Sequence, residues 1–167
     1  MELIDFIRAQ CESALEMIQH SLQDLDDEIV HWQPGGTANS IGQILAHLVS
    51  GQDLLIGERL KGGTALHVSG WAEKTGIPAD RTQIWHKDAW RLDLEAFKAY
   101  HAAVDAQSRA YLASMTPEDL ERQVAWIRGP EQPVSRLFQV IFINHALGHC
   151  GEISALKGTR GLNGLPI

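Results

Sequence analysis

The chain has 167 residues, 44% hydrophobic and 21% charged, which suits one folded domain spanning 1–167 and argues against a disordered chain. Its formal net charge is −7 and no run of Lys and Arg forms a basic stripe, so nucleic acid is excluded as an expected partner. The two cysteines form no CxxC pair, no apolar run nears the roughly 20 residues of a membrane helix, and MELIDFIRAQCES lacks a basic and apolar leader. A cytoplasmic protein with no membrane partner is expected.

In chain order, the first helix is predicted from about Leu3 to Leu25, with Leu3, Ile7, Ala14, Leu15, Ile18, Leu22 and Leu25 at helical spacings. HWQPGGTANS (31–40) interrupts it, and Asn39 or Ser40 is placed to cap a second helix over roughly 40–61. Ile41, Ile44, Leu45, Leu48, Leu55 and Ile56 form that helix's apolar stripe. From Gly62 to about Arg91 no period is sustained, and Gly62, Gly63, Gly70, Gly76 and Pro78 mark an irregular connection of a length that is commonly functional.

A third helix is predicted over 92–114, then a short turn at TPEDL (116–120) with Thr116 as cap and Pro117 in the first helical position. RQVAWIRGPEQPV (122–134) reads as extended or turn-like. A fourth helix runs from near Val134 to Lys157, stopped by Gly158. Four helices of this length imply an all-α fold, an antiparallel four-helix bundle with a long irregular crossover between helices two and three. Sites in such bundles are built from inward side chains on facing helices.

NHALGHCGEI (144–153) places His145 and His149 at i and i+4, neighbours on a helix surface where two imidazoles can grip one ion. A wheel centred on Ile141 puts Leu137, Phe138, His145, Gly148, Glu152 and Leu156 on one apolar face, with His149 at its side. The spacing alone leaves open whether the pair binds metal or packs in a core with hydrogen-bonded partners. Two buried imidazoles need partners, and Gly148 and Gly151 open space beside His149 at a helical cost of up to about 1 kcal/mol each. Both points favour metal.

The third ligand is predicted to be His47, the only histidine inside the second helix, although it lies off the centre of that helix's stripe. His20, His31, His67, His86 and His101 read as surface or loop residues, with His67 and His86 able to approach a site through the 62–91 connection. Gln52, Asp53 and Glu152 are candidate acceptors for orienting a ligand imidazole, although Asp53 reads better as a solvated helix residue. Cys150 lies about 100° from His149 on the helix and reads as a buried or edge thiol.

NSIGQILAHLVSGQDLLIGERLKG, followed 75 residues later by LFQVIFINHALGHCGEISALKGTRGLNGLPI, resembles the DinB-like superfamily. So does the Trp-x-Pro stretch in LQDLDDEIVHWQPGGTANSIG. The resemblance covers nearly the whole chain and implies a four-helix bundle, a divalent metal on His47, His145 and His149, and a homodimer. Glu152 departs from the pattern, since many members carry Gln there, and Cys150 is not a usual motif residue.

Three neutral imidazoles suit Zn²⁺, Ni²⁺, Fe²⁺ or Mn²⁺ and leave positions open for water or substrate. Characterised relatives include transferases and isomerases that use low-molecular-weight thiols such as bacillithiol or mycothiol. The resemblance therefore implies a metal-dependent thiol S-transferase acting on a small electrophile. The alternatives are a non-catalytic, stress-related metal-binding protein and a helical interaction module.

Overall fold

A computed structural model of the chain describes residues 2–126 and 129–165. They are mostly helical, with one two-stranded sheet, so the chain is all-α in class. Residues 127 and 128, part of the stretch expected to be extended, lie outside the described residues, as do the last two of the Gly-rich tail.

Helix α1 spans Leu3–Ser21 and buries Ile4, Ile7, Cys11, Ala14, Leu15 and Ile18 at three- and four-residue spacing. It stops four residues before the expected end. Asp24 takes a left-handed conformation, φ 57°, and the Asp26 carboxylate accepts the Ile29 N–H at 2.8 Å to start a new short helix, α2 (Asp27–His31). Leu25 is still buried, so its apolar character was real and its helical assignment was not.

Helix α3 (Ile41–Asp53) begins on a capping box: Ser40 Oγ accepts the Gln43 N–H, and Gln43 Oε1 accepts the Ser40 N–H at 3.0 Å. It runs without a break into a π-helical segment, Leu54–Leu60. The predicted connection after it is irregular, with short turns at His67–Ser69, α4 (Trp71–Thr75) and Arg81–Trp85. It is nevertheless firmly docked. The Asp53 carboxylate accepts from Leu66 N–H (3.0 Å), His67 N–H (2.7 Å) and Tyr100 O–H (2.9 Å), and Gln43 Nε2 donates to the Ile84 carbonyl. Asp53 is 0% exposed, so the expectation of a solvated side chain is corrected: its position on α3 faces the connection that folds back over it.

Helix α5 (Leu94–Ser114) is capped by Asp93, and α6 (Pro117–Glu121) by Thr116, with Pro117 at its start as expected. Strands β1 (Gln123–Val124) and β2 (Gln132–Pro133) pair antiparallel, Val124 opposite Gln132. They lead into one continuous helical segment: α7 (Val134–Leu137), a π-helical stretch at Phe138–Asn144, and α8 (His145–Thr159). Gly161, not Gly158, adopts the left-handed conformation beyond its end.

The core comprises two apolar clusters, and each long helix crosses from one to the other at the same level. On α3 the change falls between Val49 and Leu55, on α5 between Val104 and Leu112, and between π segment and α8 from Phe142 to Ala146. Ser50, Gln52, Asp53 and Ser108 fill the boundary as a buried polar layer. Helices α3 and α5 enter this layer from one cluster, α1 and the last helix from the other. Among the described residues no helix is long and apolar enough to cross a membrane.

Candidate metal centre

His47, His145 and His149 come together where α3 packs on the last helix, beside this boundary. His47 Nε2 stands 2.9 Å from His145 Nε2, which stands 3.1 Å from His149 Nε2. Among the described residues these three form the group whose ligand atoms all lie within 4.8 Å of one another. Nitrogens sharing a tetrahedral ion at about 2.1 Å lie roughly 3.4 Å apart, so the rings converge on a point with nearly the spacing one ion needs. The fit extends to the far nitrogen of His149. His149 Nδ1 lies 2.7 Å from Glu152 Oε2, which accepts its proton and leaves the Nε2 lone pair facing the cluster. The Nδ1 of His145 is buried without a partner.

Each ring arrives by a different local route. Helix α3 is buried on nearly all sides, which removes the objection that His47 sits off its stripe. On α8 the wheel needs correction. The buried line runs through Phe138, Phe142, Ala146, Cys150, Ile153 and Lys157, whereas Gly148 and Glu152 are exposed and both histidines are half-buried beside that line. The π-helical stretch closes hydrogen bonds five residues apart, so each residue advances less around the axis than a uniform α-helix assumes. Gly148 and Gly151 do face open space: a β-carbon on either would meet nothing within 4 Å.

The 62–91 connection contributes what the sequence did not single out. Trp85 packs on His47 with ring centroids 4.7 Å apart. Arg81 donates from Nε to Ser50 Oγ (2.8 Å) and from Nη2 to the His47 carbonyl (3.1 Å), tying the connection to the backbone of the predicted ligand. No periodicity marks either residue, and only the unusual length of the connection hinted at a role. His67 and His86 do not reach the cluster. His67 is buried and donates to the Pro78 carbonyl at 3.0 Å, and His86 is exposed. His101, expected at the surface, is 2% exposed on the inner side of α5 and is also remote from the cluster. Gln52 makes no hydrogen bond to the histidines, its Nε2 being buried without a partner among the described residues. Cys150 is buried, as expected.

A cavity of about 610 Å³ opens beside His47 and His145, walled by both π-helical segments through Leu54 and Ile141, and by Trp85 and Trp126. The position of π segments at this wall fits their frequent use at functional sites.

Burial is the main cause that holds His47 down from 6.5 to about 3, followed by repulsion from His145, Arg81 and His149. His145 is likewise brought down to about 4 by burial, His149 and Arg81, with Glu152 opposing. Both rings are thus neutral, as metal ligands must be. In the unfolded chain they take up protons near pH 6.5, so the unfolded state binds more protons than the metal-free fold between about pH 6.5 and 4. Stability of chelator-treated protein is expected to fall as pH drops through that window, and His47→Gln to reduce the slope. Urea midpoints at several pH values check this, and equal slopes for both proteins would contradict it.

Fold and site together define a helical protein whose three-histidine cluster is compatible with a divalent metal ion. The chain belongs to the DinB superfamily, whose sequence model matches residues 10–153. It is similar in fold to a conserved protein from Enterococcus faecalis, with a TM-score of 0.75 and 20% identity over 94% of this chain and 96% of that one. A protein from Streptococcus pneumoniae gives a TM-score of 0.65 and 14% identity over 95% and 92%. No curated protein matches the chain.

Proposed function

We propose that the protein is a metal-dependent enzyme of the thiol S-transferase type, joining a small thiol to a small electrophile, with His47, His145 and His149 holding one Zn²⁺, Ni²⁺, Fe²⁺ or Mn²⁺ ion. The observation that carries this reading is the convergence of three imidazole Nε2 atoms beside a cavity of about 610 Å³. A divalent ion with open positions supplies Lewis acidity, which favours deprotonation of a thiol at neutral pH. The protein's own residues do the rest. Glu152 fixes the tautomer of His149, Trp85 and the Arg81 link to the His47 carbonyl hold the His47 ring in place, and Leu54, Ile141 and Trp126 keep the cavity wall apolar.

The same reading takes residues 1–167 as one DinB-like domain and an antiparallel four-helix bundle with 62–91 as its crossover. The order in which the long helices meet the two core clusters supports this, since α3 and α5 run the same way and need a long return between them. A homodimer rests on the family resemblance. A cytoplasmic setting is supported by two free, buried cysteines.

The test is consumption of monochlorobimane by cysteine, glutathione, bacillithiol or mycothiol with zinc- or nickel-loaded protein. Acceleration by at least one thiol, lost in His145→Ala, is the expected result. Metal retained with no acceleration by any of them would instead identify a non-catalytic metal-binding protein.

A further inference from the structure

The cavity beside the histidines is apolar on most of its wall, yet two guanidiniums, Arg59 and Arg81, border it. Both are half-buried. Among the described residues neither has a carboxylate within 4.0 Å, although the chain carries 21 acidic residues against 14 basic ones. Arg81 is fixed by Ser50 and the His47 carbonyl through Nε and Nη2, and among the described residues its Nη1 makes no hydrogen bond. Arg59 spends Nη1 on the Ala125 carbonyl at 3.1 Å. The Asp53 and Glu58 carboxylates act on Arg81 from beyond contact distance, and a planar guanidinium half-withdrawn from water and held at its edge is preorganised to receive an oxyanion.

The placement also relates this charge to the histidines. A β-carbon at Gly51 would stand 3.1 Å from Arg81 Nη2 and 3.8 Å from His145 Cε1, so one small residue lets the guanidinium and the cluster share a wall. The indoles of Trp85 and Trp126 line the same cavity, together with Leu54 and Ile141.

We propose that this cavity binds a small organic anion: an apolar body against Trp85 and Trp126, and one carboxylate- or sulfonate-type group on Arg81 and Arg59. The inference rests on the transferase reading and names its preferred substrate class, an electrophile that carries an acid group.

The experiment uses the full chain, stripped of metal, and two fluorescent probes with the same aromatic body. Anilinonaphthalene sulfonate carries an oxyanion and phenylnaphthylamine does not. Wild-type protein is expected to bind the sulfonate at least about tenfold more tightly than the neutral probe. Arg81→Gln is expected to erase that preference, weakening the sulfonate about tenfold while the neutral probe stays within about twofold. Equal affinity of wild type for the two probes overturns the proposal, as does unchanged sulfonate binding in Arg81→Gln. Because Arg81 also supports the local backbone, loss of both probes in that variant passes the decision to Arg59→Gln. A selective loss of the sulfonate there supports the proposal, and unchanged binding overturns it. Failure of the same protein to take up zinc, with the probe preference intact, would remove the metalloenzyme reading and leave the anion site standing.

Discussion

His145→Ala is expected to abolish stoichiometric metal binding, because His145 is the ring that touches both others. Its Nε2 lies 2.9 Å from that of His47 and 3.1 Å from that of His149. Removing it leaves two imidazoles, fewer than the three protein ligands usual for an ion with an open position. His47→Ala and His149→Ala are expected to behave alike, retaining less than about a tenth of an ion per chain. Glu152→Ala keeps all three ligands but frees the His149 ring, so metal affinity is expected to fall by about 10–100-fold. His86→Ala, on the exposed connection, should bind as wild type does. Metal content by mass spectrometry and zinc titration checks the series. Loss in every variant including His86→Ala, or in none, would contradict the assignment. The metal-free fold of His145→Ala should not be much weakened, since the substitution also removes a buried Nδ1 that has no partner.

The largest loss of stability is expected at Asp53. Asp53→Ala strips the acceptor from three donors at once: the Leu66 and His67 amides and the Tyr100 hydroxyl. Burial and the adjacent Asp53 push the Tyr100 phenol up, so it remains a proton donor throughout the accessible pH range. Leaving buried donors unsatisfied costs about 1–3 kcal/mol apiece, and breaking a buried charged network about 3–5 kcal/mol in all. A loss near 4 kcal/mol is therefore expected from urea unfolding, with Asp53→Asn less severe and Tyr100→Phe nearer 1 kcal/mol. The 61–93 segment should also become protease-sensitive in Asp53→Ala, because two of the three bonds anchor its chain. A loss below 1 kcal/mol with unchanged proteolysis would show that Arg81, Gln43 and the apolar packing of Ile77 and Ile84 hold the segment without Asp53.

These two sites show what the sequence revealed and what it concealed. The grouping of the three histidines was legible because helix spacing and side-chain chemistry coincide: i and i+4 rings on one helix, and a lone histidine within another. The fold class was legible from the same periodicity. The face of α8 was not, since the π-helical stretch at Phe138–Asn144 shifts the phase that a uniform wheel assumes. Asp53 was misread because a carboxylate on a helix is ordinarily solvated, and its donors come from a segment returning 13 residues on and from Tyr100 of α5. Arg81 and Trp85 lie in a stretch with no period, where position depends on tertiary docking. Nothing local signals that one will hold the His47 backbone and the other cover its ring.

The central claim is that three imidazoles form one metal site. It is tested most directly by elemental mass spectrometry of untagged protein purified without added metal or chelator. About one equivalent of a single first-row divalent metal per chain is expected, removed by chelation and restored by Zn²⁺ or Ni²⁺ with a rise in melting temperature. Less than about a tenth of an equivalent, with no thermal response to either ion, would contradict it.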